Sequence, residues 1–98
     1  MTKVYFVLKN LGDFNNIYIP NEAKCLFPQV EGQFTLKSDA GDDIVKVKAH
    51  KPRMRPHIHL TQTKWFTKHY AELEDGQKLV IEITELKAGR EYHLYILK

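Results

Sequence analysis

Ten consecutive residues, HKPRMRPHIH from His50 to His59, hold Lys51, Arg53, Arg55, three histidines and two prolines, with no acid among them. Each arginine carries a planar fork of donors that can grip guanine O6 and N7, or a phosphate, at two points. Lys46, Lys48, Lys51, Lys64 and Lys68 are point charges suited to phosphate oxygens, which position a protein on a duplex without reading sequence. From Asp43 to Glu72 no acid interrupts this basic window. Pro52 and Pro56 stiffen the segment, so less entropy is lost when it orders against a groove. A second polar cluster, NLGDFNN from Asn10 to Asn16, offers Asn10, Asp13, Asn15 and Asn16, whose side chains can meet adenine or cytosine edges.

Other constellations carry less chemistry. His57 and His59 are two apart and share one face of a strand, and His50, His69 or His93 could join them on zinc. Cys25 is the only thiol and no third ligand stands at a diagnostic spacing, so no metal and no cofactor are expected. Asp75, Glu85 and Lys87 imitate the D…E-x-K pattern of metal-dependent nucleases. Lys87 opens a turn, however, and the chain has little room for the flanking helices such a core needs. With no G-x-S-x-G, no glycine-rich phosphate loop and no Cys/His nucleophile pair, the expectation is a non-catalytic protein without a small-molecule substrate.

The elements that position these residues are mostly strands. Val4–Leu8, Ile17–Ile19, Phe34–Lys37, Ile44–Ala49, Ile58–Leu60, Lys78–Ile83 and Tyr92–Leu97 are rich in β-branched and aromatic residues or alternate with period two. In IVKVKA the alternation sends one face to the core and presents Lys46 and Lys48 on the other. NEAKCLF, capped by Asn21 and stopped by Pro28, and KWFTKHYAEL, capped by Thr63, predict two short helices. Gly41, Gly76 and Gly89 mark turns.

The chain has 98 residues, 43% hydrophobic and 28% charged, which predicts one ordinary globular domain over residues 1–98. The net charge of +3 is small, so the basic block is a local feature and implies one face for a polyanion. No apolar run is long enough to span a bilayer, and the first ten residues do not read as a secretory signal. A lone cysteine fits a reducing, cytoplasmic setting, and Cys25 is expected to pack as a buried small hydrophobe.

The order of motifs resembles the DNA-binding pseudobarrel family, which includes plant B-three transcription-factor domains and the effector domains of EcoRII-like and BfiI-like restriction endonucleases. The residues carrying the resemblance are Ile19-Pro20, Ala23, Leu26-Phe27-Pro28, Asp39-Ala40-Gly41, Trp65-Phe66, Leu73 and Asp75-Gly76. It implies a mainly β fold, a seven-stranded open β-barrel with two short helices at its ends that bury Phe27 and Trp65. It also implies a grip on the DNA major groove by two loop arms: an N-arm over Gly12–Asn16, with Asp13, Asn15 and Asn16, and a C-arm over His50–His59. Together with the basic window this predicts a sequence-specific double-stranded DNA-binding domain. Such a domain serves as the recognition module of a restriction endonuclease or as a small transcriptional regulator. The candidate contacts are Lys46, Lys48, His50, Lys51, Arg53, Arg55, His57, Lys64, Asp13, Asn15 and Asn16. Two other readings stand beside it: a barrel for single-stranded DNA or RNA, and a protein-interaction module with a basic loop.

Overall fold

The computed structural model describes all 98 residues, Met1–Lys98. Seven strands form: β1 (Thr2–Val7), β2 (Ile17–Tyr18), β3 (Gln33–Ser38), β4 (Gly41–Lys46), β5 (His57–Ile58), β6 (Lys78–Leu86) and β7 (Gly89–Ile96). Five make one sheet in the order β1-β6-β7-β3-β4, and β2 and β5 make a second. All pairings are antiparallel except β3 with β7, where Leu36 lies opposite Tyr92. Neither sheet closes on itself: where one seven-stranded barrel was expected, the fold is mainly β with two separate open sheets. One bridge, Lys48 with His57, ties the end of β4 to β5.

Alternation explains the core. Val4, Phe6 and Leu8; Phe34 and Leu36; Val45 and Val47; Leu79, Ile81 and Ile83; and Tyr92 and Leu94 are buried at every second position. They join Phe14, Ile17, Ile58, Leu60 and Trp65 in one cluster, so both sheets share a single interior. Gly41, Gly76 and Gly89 turn the chain with positive φ, as their places between strands predict.

The helices differ from expectation. Asn21–Leu26 is a 3-10 helix, and Asn21 lies inside it with no capping hydrogen bond from its side chain. Its bonds close three residues back, the Ala23 N–H donating to the Pro20 carbonyl at 2.9 Å and the Phe27 N–H to the Lys24 carbonyl at 3.3 Å. Three residues per turn put Pro20, Ala23 and Leu26 on one face, leaving Lys24 and Cys25 outside. Cys25 is therefore exposed, not packed in the core. The second helix, α1 (Lys64–His69), continues as a 3-10 turn, Tyr70–Glu72. Thr63 caps it as expected: its Oγ1 accepts from the Phe66 N–H at 3.0 Å and donates to the Leu60 carbonyl at 2.7 Å. No helix is long and apolar enough to cross a membrane.

Candidate nucleic-acid interface

The basic segment is held at its root and free at its tip. Lys48 and His57 exchange both backbone N–H···O bonds at 2.8 Å, and the Ile19 N–H donates to the Pro56 carbonyl at 3.0 Å. The Met54 N–H donates to the His50 carbonyl at 2.9 Å, which turns the tip, and Met54 takes a left-handed φ of 51° to do so. Between these rungs every residue from Lys51 to Arg55 is exposed. The Arg55 guanidinium lies 4.0 Å above the Tyr18 ring, which aims it along the surface of β2.

The cations of the window divide into two groups. Lys48, Lys51, Arg53 and Arg55 take part in no ion pair. Lys46 pairs with Glu31 at 3.4 Å and Lys68 with Asp39 at 3.4 Å. Lys64 gives its backbone N–H to the Asp43 carboxylate at 3.0 Å and its ammonium to the Asp42 carbonyl. The fold thus turns Lys64 and Lys68 toward the acidic β3–β4 turn, although the Lys64 ammonium meets only a backbone carbonyl, and leaves Lys51, Arg53 and Arg55 of the arm and Lys48 at its root without an ion pair.

A cleft of about 510 Å³ runs between the edge of β1 and the short strand β2. Asp13 and Asn16 line it from one side and Arg55 from the other, so the two expected arms border one depression. Within the first arm, Leu11–Asn15 forms a 3-10 helix pinned by the fully buried Phe14. The Asp13 carboxylate accepts from the Lys9 N–H at 2.8 Å, and the Asn15 side chain accepts from the Thr61 hydroxyl at 2.9 Å. Both are therefore engaged in shaping the loop, whereas the Asn16 side chain stays unengaged at the cleft wall. Tyr5 and Tyr18, 54% and 41% exposed, complete the wall.

The histidines fall into separate settings. His57, expected as a partly exposed contact, is fully buried, its ring 4.7 Å from that of His50 and 5.1 Å from that of His59. Burial of its neighbourhood, together with His57, Lys48 and His50, pushes the His59 imidazole below its ordinary value. His69 lies elsewhere, between Asp39 at 2.8 Å and Glu72, packed on Trp65. These carboxylates raise its pKa, most of all through the hydrogen bond that the His69 ring donates to Asp39. His93 sits exposed on β7. Asp75 lies in the turn before β6 and Glu85 near the far end of that strand, where it pairs with Arg90 at 2.8 Å.

Comparisons with protein families and with curated proteins find no match for this chain.

Proposed function

We propose that this chain is a non-catalytic, sequence-specific double-stranded DNA-binding domain that sets the His50–His59 arm in the major groove. The observation that carries the reading is the arm itself: Lys51, Arg53 and Arg55 on an exposed tip and Lys48 at its root, none of them in an ion pair, on a segment held by backbone bonds. Arg53 and Arg55 read bases, Lys48 and Lys51 hold phosphates, and Asn16 approaches from the opposite wall of the cleft. On this reading the seven strands act as one open pseudobarrel, in the order β1-β6-β7-β3-β4-β5-β2. Support comes from the Lys48–His57 bridge that joins the sheets, the single shared core, and the cleft that lies where the outermost strands β1 and β2 face each other. The domain works inside the cell, as the recognition part of a restriction endonuclease or as a small regulator.

Selection from a random duplex library, followed by sequencing, should return a defined site. Arg53→Ala and Arg55→Ala should then weaken binding to that site by about 5- to 150-fold each, the equivalent of one bidentate base contact. A library that returns no enriched sequence, or gel shifts unchanged by both substitutions, would falsify the assignment. One observation favours a second reading: the exposed Tyr5 and Tyr18 rings on the cleft wall could stack bases of a single strand. Competition between duplex and single-stranded oligonucleotides separates the two.

A further inference from the structure

We propose that His50, His57 and His59 form a binding site for a transition-metal dication, zinc foremost, at the root of the basic arm. The ligand nitrogens of the three imidazoles all lie within 4.8 Å of one another. Zinc holds imidazole nitrogen at about 2.0–2.1 Å, which sets tetrahedral ligand nitrogens roughly 3.3 Å apart. The rings must therefore close by about 1.5 Å at most, and His50, exposed at the start of the arm, has the freedom to move.

Two further observations point to a cation. The Nε2 atoms of His57 and His59 are buried and have no hydrogen-bond partner. A buried polar nitrogen without a partner is destabilising, and a coordinated ion removes that cost. The second observation is the tautomer of His57. Its Nδ1 lies 3.1 Å from the Arg55 carbonyl oxygen, which can only accept, so Nδ1 carries the proton and Nε2 keeps its lone pair. A ring fixed by a backbone carbonyl behind it, with its other nitrogen aimed at two further imidazoles, is the usual posture of a metal-ligating histidine.

The donor set selects the ion. Three nitrogens and no carboxylate suit zinc, copper, nickel or cobalt and not magnesium or calcium. Three protein ligands leave the fourth position to water or to an anionic oxygen. The ion would also join His50 to His57 and His59 across the intervening arm, closing that loop as a clip beneath Arg53 and Arg55. This proposal does not depend on what the arm binds.

The test uses the full chain without a histidine tag, freed of metal by chelator and dialysis, and titrated with zinc chloride in a calorimeter. One ion per chain is expected, with a rise in melting temperature that chelator reverses. Cobalt chloride should give the visible absorption of a tetrahedral nitrogen site. Loss of a ligand exceeds the roughly 10–100-fold cost of losing a supporting group. His50→Ala, at an exposed position, should therefore keep the wild-type circular dichroism and lose more than about 100-fold in zinc affinity. His93→Ala should keep full affinity. No binding by the wild-type chain at millimolar zinc, or equal affinity in His50→Ala, would overturn the proposal.

Discussion

The salt dependence of duplex binding is set by how many arm cations are free to displace counterions. Each neutralised phosphate adds about −0.9 to the slope of log affinity against log salt. Lys48, Lys51, Arg53 and Arg55 are unpaired, whereas Lys46 and Lys68 already face acids and Lys64 lies against the acidic turn. Four contacts predict a slope of about −3.6, hence a fall of roughly 150-fold in affinity between about 50 and 200 mM salt. Fluorescence anisotropy on the selected duplex across that range measures it. Lys51→Ala should lower the slope by about 0.9 and weaken all duplexes alike; Arg55→Ala should also erase discrimination at one base position. Arg55→Ala forfeits a cation–π contact with Tyr18, about 0.5–1 kcal/mol at an exposed site, so its melting temperature should fall by no more than several degrees. Lys64→Ala should leave the slope where it was. A wild-type slope shallower than about −1, or a Lys64→Ala slope reduced as much as that of Lys51→Ala, would refute the assignment of charge to this arm.

Two predictions concern the scaffold. Thr63→Ala removes an acceptor from the Phe66 N–H and a donor from the Leu60 carbonyl at a buried position, and should cost about 1–2 kcal/mol in urea unfolding; an unchanged midpoint would mean that α1 does not rely on this cap. His69 is raised above its ordinary 6.5, chiefly by its hydrogen bond with Asp39, against the opposing effect of burial, so its contribution is complete below pH 6.5 and is lost as pH climbs through the raised folded value. Asp39 is lowered from 3.8 chiefly by the same bond, so its share is present above that value and is lost as pH falls through the lowered one. Melting temperature should therefore decline on the alkaline side of 6.5 in the wild type and stay flatter in His69→Gln; superimposable profiles would contradict the assignment.

The strands of the large sheet were legible where period-two burial writes itself into the sequence, as in Phe34 and Leu36. Their bounds were less so: β4 runs Gly41–Lys46 where Ile44–Ala49 was expected, and β5 keeps only Ile58 of Ile58–Leu60. Helix type was not legible. NEAKCLF satisfies the local rules for an α-helix, yet it winds as a 3-10 helix with Cys25 exposed, whereas Lys64–His69, of equal length, is α-helical. The basic arm was visible as composition, yet its partition was not. Lys64 sits in the same acid-free window as Arg55, and only the packing of α1 beside β4 brings Asp42 and Asp43 to it from more than twenty positions away. The third member of the histidine trio stayed open among His50, His69 and His93 for a related reason. His57 and His59 share a strand-like spacing, but His50 reaches them because the Lys48–His57 bridge folds the arm back on itself. No fixed interval along the chain encodes that closure.

Fifteen basic and twelve acidic residues could in principle cancel over most of this surface. The fold uses that freedom unevenly. Acids of the β3–β4 turn face Lys64, Lys68 and His69; Glu31 reaches Lys46; Glu82, Glu85 and Glu91 find Lys3, Arg90 and Lys37. None reaches the arm, where Lys51, Arg53 and Arg55 crowd within five residues on a backbone that prolines and root hydrogen bonds keep from spreading. Like charges held close repel, so this arrangement lowers stability compared with an arm that carried one or two acids. On the proposed reading a bound polyanion would relieve that repulsion, because its phosphates supply the negative charge that no acid of the chain brings to the arm.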